Sequence, residues 1–188
     1  MFEDIYLEKS SSIGIEYCIW KKAVSNMDIN STVQYRKNIP FDVIRTVLIS
    51  YNTDKSKVTP DYDRASIADD ASSSDICINL YVNGERTRWK LYLHKFELAK
   101  MTEYQNIIQM PPRGNIIHVN VPEGYPYSVE HYLNFLRSQF RFLYGNIWPP
   151  LHELLDDLPL WYKFANDPKL QYTSFQNACT NLYRIVDY

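Results

Sequence analysis

Glycine is scarce in this chain, with five residues in 188. Five glycines leave little material for a backbone cradle around a phosphate, and neither GxGxxG nor a GxxxxGK[ST] loop occurs. GxSxG, the elbow that presents a nucleophilic serine, is absent as well. Cysteine is nearly absent: Cys18, Cys77 and Cys179 are odd in number and far apart. That pattern argues against a secreted disulfide scaffold, and without a CxxC or a close Cys/His set it does not suggest zinc. No apolar run approaches the length of a membrane span, and the opening "MFEDIYLEKSSS" is too polar and acidic for a signal peptide. Charge of one sign is also missing: the formal net charge is -2 with both signs mixed throughout, so the chain as a whole has no nucleic-acid footprint. These absences set the expectation of a protein of the nucleus or cytoplasm, with no cofactor and no metal.

What the chain does have is rings. Sixteen tyrosines, eight phenylalanines and four tryptophans sit in a sequence that is 45% hydrophobic. A disordered chain is poor in such residues; they fill cores and anchor protein interfaces.

Residues 12–24, "SIGIEYCIWKKAV", alternate loosely through Ile13, Ile15, Tyr17 and Ile19 and predict a strand; 32–38, "TVQYRKN", predict a second. Pro40 suits the first turn of a following helix, with Val43, Ile44, Val47 and Leu48 on one face. Residues 52–74 are rich in Ser, Asp, Asn and Lys and read as a flexible connector. The predicted organisation is therefore an N-terminal extension over 1–51, a connector over 52–74 and a main domain over 75–188.

That domain opens with alternating Ile76, Ile78, Leu80 and Val82, then Asn83-Gly84, then a second strand. Asn-Gly between alternating runs is the strongest short-range hairpin signal. In "LYLHKFELAKMTEYQNIIQM", Leu98, Met101, Tyr104 and Ile108 have near-helical spacing, and "TEYQ" has the spacing of a capping box, so a helix is expected from Thr102. Ile117, Val119 and Val121 mark a third strand, with His118 on its opposite, exposed side. "SVEHYLNFLRSQFRFLYG" predicts a long amphipathic helix striped by Val129, Tyr132, Leu133, Leu136, Phe140, Leu143 and Tyr144 and stopped by Gly145. Three short helices follow, with breaks at Pro159 and Pro168. The fold class is α+β: a small mixed sheet flanked by a cluster of helices.

Candidates for chemistry are few. None of His94, His118, His131 and His152 lies four residues from another histidine. His94 follows an apolar strand and opens a helix, so it reads as a residue holding that junction by a backbone hydrogen bond. Asp69-Asp70 falls in the connector, and Asp156-Asp157 favours the start of the Pro159 helix. Arg137 and Arg141 read as a solvated helix face. Arg86, Arg88 and Lys90 alternate with Thr87 and Trp89 on a hairpin strand, a pattern open to an acidic partner or to nucleic acid.

From residue 74 onward the order and punctuation resemble the BTB/POZ domain family. The residues that carry the resemblance are Ser74 and Asp75, the Gly84 turn, His94-Lys95, Leu98-Ala99, and Thr102 with Tyr104. "FLYG" at Phe142–Gly145 and "KF…L…C…L" through Lys163, Phe164, Leu170, Cys179 and Leu182 continue it. The resemblance implies a non-enzymatic interaction module that homodimerises and serves as an adaptor or scaffold, with a structural role for Asp75, His94, Leu98 and Tyr104. It extends upstream, where 32–50 resemble the strand and helix of long-form members. There it implies a dimer interface containing Val33, Tyr35, Phe41, Val43, Ile44, Val47 and Leu48. Two family roles follow as expectations: a scaffold in transcription or chromatin regulation, and recruitment of a cullin-type ubiquitin ligase. For the second, the expected place of an apolar-x-Glu motif reads "IIQMPPRGN", without the glutamate. The helix at 128–144 is also about four residues, roughly one turn, longer than the family pattern, and Gln105 stands where that pattern has Phe.

Overall fold

The computed structural model describes residues 41–112, 114–170 and 172–186, with only the backbone for 41–45, 47, 48, 185 and 186. The expected strands at 12–24 and 32–38, with Val33 and Tyr35, lie outside the described residues. The chain divides into two compact units, each drawn from separate stretches of sequence. One is Thr59–Trp148 with Asp167–Gln171; the other combines, among the described residues, those from 41 to 58 with Pro149–Asn166 and those from 172 to 186.

The elements in chain order are α1 (Phe41–Lys55), α2 (Tyr62–Ala65), β1 (Ile76–Val82), β2 (Glu85–Leu93), α3 (Lys95–Leu98), two 3₁₀ turns (Thr102–Tyr104 and Ile107–Gln109), β3 (Asn115–Asn120), α4 (Val129–Gly145), α5 (Leu151–Asp156), α6 (Leu158–Ala165) and α7 (Thr173–Val186). The chain is thus α+β, with a three-stranded mixed sheet in the order β2-β1-β3.

The first unit holds the sheet. Asn83 and Gly84 both have positive φ, 51° and 81°, the backbone of a type I′ turn, and Val82 faces Glu85 across it. β3 pairs with β1 in parallel, a relation the strand pattern alone does not specify. One face of the sheet is apolar: Ile76, Ile78, Leu80, Leu91 and Leu93 are at most 2% exposed. α4 packs against β2. Ser128 caps α4 by accepting from the His131 N–H at 3.1 Å. Its stripe is wider than predicted, because Phe135 and Phe142 are buried along with Tyr132, Leu133, Leu136, Phe140, Leu143 and Tyr144. Each such burial contributes on the order of 2 kcal/mol.

Gly145 does not stop α4 as a left-handed residue. It is still helical; Asn146 takes the left-handed cap at φ 56° and donates to the Phe142 carbonyl at 2.8 Å. Gly145 is small for a different reason. The Asp61–Ala65 backbone crosses directly over it, and the Asp61 N–H donates to the Gly145 carbonyl at 2.7 Å.

The expected flexible connector is also revised. Asn52–Lys55 complete α1, and the rest of the stretch is pinned through side chains. Asp61 caps α2, accepting from the Arg64 N–H at 3.0 Å. Asp69, left-handed at φ 64°, donates from its N–H to the Tyr92 carbonyl and accepts from the Tyr92 N–H through its carboxylate. It also pairs with Arg137 at 2.8 Å. Polar side chains bonded to backbone do here what apolar burial does elsewhere.

The helix expected from Thr102 is two short 3₁₀ turns. The Thr102 hydroxyl donates to Asp167 at 2.7 Å, and its N–H points to the same carboxylate, so the hydroxyl is spent away from the Gln105 N–H that a capping box would serve. In the second turn Ile107 is buried at 4% and Ile108 is 63% exposed, reversing the expected stripe.

The second unit is helical, with α7 packed on both α1 and α6. Trp161 is its centre. It is 1% exposed, with ring centroids 5.9 Å from Phe164 and 5.8 Å from Phe175, both edge-on. The Tyr51 hydroxyl donates to the Pro149 carbonyl. Asp157 stands at the N-cap of α6, with Pro159 in its first turn.

Candidate functional site

The strand-to-helix junction at His94 gathers more polar chemistry than any other described stretch. β2 ends at Leu93, and His94 keeps extended backbone (φ −124°, ψ 127°) as the cap of α3. Its side chain makes no cap bond. Instead the Asp75 carboxylate accepts from the Lys95 N–H at 2.9 Å, so the start of β1 caps the helix that follows β2.

The His94 ring lies between two hydroxyls. The Tyr144 hydroxyl is 2.9 Å from Nδ1 and accepts from the His94 backbone N–H at 3.0 Å. Ser73 Oγ is 3.0 Å from Nε2 and donates to the Asp70 carboxylate at 3.0 Å. The directions follow from the inventory of protons. Asp70 only accepts, so the Ser73 proton goes to it, and Ser73 accepts from Nε2–H. Nδ1 is then the acceptor for the single Tyr144 proton. One directed chain runs Tyr144, His94, Ser73, Asp70. The side-chain and backbone bonds from Ser72, followed by the Ser73 bond, hold the Asp70 carboxyl below its ordinary value. Burial pushes the Tyr144 hydroxyl well above its own, against the bond from the His94 N–H, so it remains a proton donor.

This polarity is opposite to that of an activated nucleophile, in which serine would give its proton to histidine. The network as it stands locks α4 to the end of β2. Replacing Tyr144 with Phe should cost about 1–2 kcal/mol in a denaturant titration, because the part-buried His94 N–H loses its acceptor; an unchanged midpoint would show that the hydroxyl holds nothing.

Two charged side chains next to His94 are buried and satisfied. Lys95, 7% exposed, donates to the carbonyls of Met110 and Pro111 and so ties α3 to the proline stretch. Glu97, 3% exposed, pairs with Arg64 and, at 2.6 Å, with Lys100. Leu98 is fully buried. Tyr104 lies in the first 3₁₀ turn, where burial and then Glu103 push its hydroxyl well above the ordinary range. Asp75, His94, Leu98 and Tyr104 thus all fall in or beside this junction. Lys95 and Tyr144 stand out in the sequence only as positions of the resemblance and, for Tyr144, of the α4 stripe, and Ser73 and Glu97 do not stand out at all; each acts through a partner distant in the chain.

On the same junction two large apolar side chains face solvent. Phe96 on α3 is 70% exposed, with Lys100 Nζ 5.6 Å from its ring centre, and Ile108 on the packed 3₁₀ turn is 63% exposed. Elsewhere in this unit, rings gather at the start of α4. Tyr127 lies 4.3 Å from His131, and Tyr125 lies 5.3 Å from Tyr132. His118 is exposed, as expected, and lies 4.5 Å from the Tyr81 ring.

Of the residues assigned to a dimer interface, Phe41, Val43, Ile44, Val47 and Leu48 lie on the first three turns of α1, with their side chains outside the described residues. Further along that helix, Ile49 is 50% exposed and Tyr51 is buried. Ile49, Ser50, Thr53 and Asp54 face Asn177, Thr180 and Asn181 of α7 across an open groove of about 370 Å³. Among the described residues no group of three or more His, Cys, Asp or Glu side chains is placed to hold a metal ion, and no helix is long and apolar enough to cross a membrane. No family model matches the chain, and no curated protein matches it.

Proposed function

We propose that this chain is a non-enzymatic protein–protein interaction module of BTB/POZ type that homodimerises and serves as an adaptor for other proteins. The observation that carries the reading is the exposure of two large apolar side chains, Phe96 on α3 and Ile108 on the 3₁₀ turn that packs against α3. Large apolar groups left exposed on packed elements are what a partner's side chains bury. The element order supports the same reading: a hairpin, a helical turn opened by His-Lys, a third strand, a long helix and three further helices. The directed hydrogen bonds around His94 give that residue a holding role, in keeping with the one the resemblance implies.

Self-association would use the upstream helix, with Ile44 in the seam. A symmetric interface of this kind buries on the order of 2,000 Å². Sedimentation equilibrium on the Ile44→Asp variant tests this part. The variant should sediment as one chain where the parent sediments as two; identical behaviour of the two would remove α1 from the interface.

A further inference from the structure

The three-stranded sheet has a second face, and its cations are unspent. Cross-strand partners share a face, so Asn79 brings Lys90 and His118 into one row, and Tyr81 brings Arg86 and Asn120 into the next. Lys90, Arg86, His118 and Asn120 are all exposed. β2 bulges between these rows: Arg86 and Lys90 are four positions apart, while their partners Tyr81 and Asn79 are only two apart. The Thr87 hydroxyl closes the bulge by donating to the Leu80 carbonyl at 2.8 Å and accepting from the Trp89 N–H. The bulge thus draws the two cations to the spacing of alternate side chains on an extended strand, about 6–7 Å. Arg88, on the bulge itself, is exposed, with its guanidinium 4.7 Å from the centre of the Trp89 ring.

Several other cations of this unit are engaged, Arg64 and Lys100 with Glu97, Arg137 with Asp69, and Lys95 and Lys169 with carbonyls, while Arg141 on α4 is exposed. Among the described residues, Arg86, Arg88 and Lys90 have no ion-pair partner. Burial raises the Cys77 thiol on the same face, and the charges of Lys90 and Arg86 oppose it.

The geometry points to a docking site for an extended acidic protein segment with carboxylates at alternate positions, held by Arg86 and Lys90 with Arg88 at the side. This inference rests on the proposed interaction-module function and names the chemistry of one partner. A nucleic acid fits less well. Three cations neutralise few phosphates, and the Tyr81 ring that could stack on a base is already against His118, with its hydroxyl 3.3 Å from Nε2.

The test is fluorescence anisotropy with the whole chain and three labelled probes at low salt: a peptide of alternating Glu and Thr, a peptide of the same composition with its glutamates in one block, and an oligothymidylate. The alternating peptide should bind best, more weakly as salt rises, and Arg86→Glu/Lys90→Glu should weaken it by about tenfold or more. Arg86→Gln/Lys90→Gln should fall between the two, which guards against a fold damaged by charge reversal. No saturable binding of the alternating peptide, equal binding of the block peptide, tighter binding of oligothymidylate, or indifference to both double variants would each overturn the site. The charge-reversed chain should keep the parent's sedimentation mass, so loss of the peptide with the mass intact separates this site from self-association.

Discussion

Replacing Gly145 with Ala should destabilise the sheet-bearing unit by about 3 kcal/mol or more, beyond the usual cost of one added methyl in a packed site. A Cβ built at Gly145 would lie 2.1 Å from the Asp61 carbonyl oxygen, 2.8 Å from Ala65 Cβ and 2.9 Å from the Ala65 nitrogen. Two of these three neighbours are backbone, so no side chain can swing away. Relief requires the 61–65 segment to lift, which would break the 2.7 Å bond from Asp61 to the Gly145 carbonyl and bring Ala65, now 1% exposed, toward water. A urea titration followed by tyrosine and tryptophan fluorescence reads the loss. A change below about 0.5 kcal/mol, the range of a neutral surface substitution, would mean that the segment does not cross Gly145 in solution.

In the helical unit the largest loss should come from Trp161→Ala, about 3–5 kcal/mol. The indole is the largest of the fully buried side chains, and its removal would leave Phe164 and Phe175, themselves 6.3 Å apart, facing a void. Trp161→Phe should recover much of the loss, because a smaller ring keeps edge-on partners on both sides. If alanine and phenylalanine were equally damaging, the cause would be a lost indole hydrogen bond rather than lost volume. If neither changed the urea midpoint, α5, α6 and α7 would not share this core.

The features legible in the sequence are those whose cause is local. Asn83-Gly84 specifies its turn through two positive φ angles. Ser128 and the stripe behind it specify α4, and Pro159 places the start of α6. What was not legible depends on partners far along the chain. Thr102 and Gln105 have the spacing of a capping box, but Asp167, 65 residues away, takes the Thr102 hydroxyl. Gly145 signals a helix end, while its size answers to Asp61 and Ala65. The polar stretch after Lys55 has too few apolar groups to suggest order, and it is held by Asp61 and Asp69 through backbone bonds that hydropathy does not register. At the candidate site, His94 was legible from the strand before it and the helical spacing after it. Tyr144 was legible only as one more ring in a stripe, since nothing local says that its hydroxyl turns toward position 94.

The central claim is that the apolar and aromatic surface of this chain exists to meet other polypeptides, its own copy first. Light scattering across a dilution series measures this most directly. The expected mass is twice the 22.3 kDa of one chain, held down to micromolar concentration; a single-chain mass at every concentration up to the solubility limit would rule out self-association.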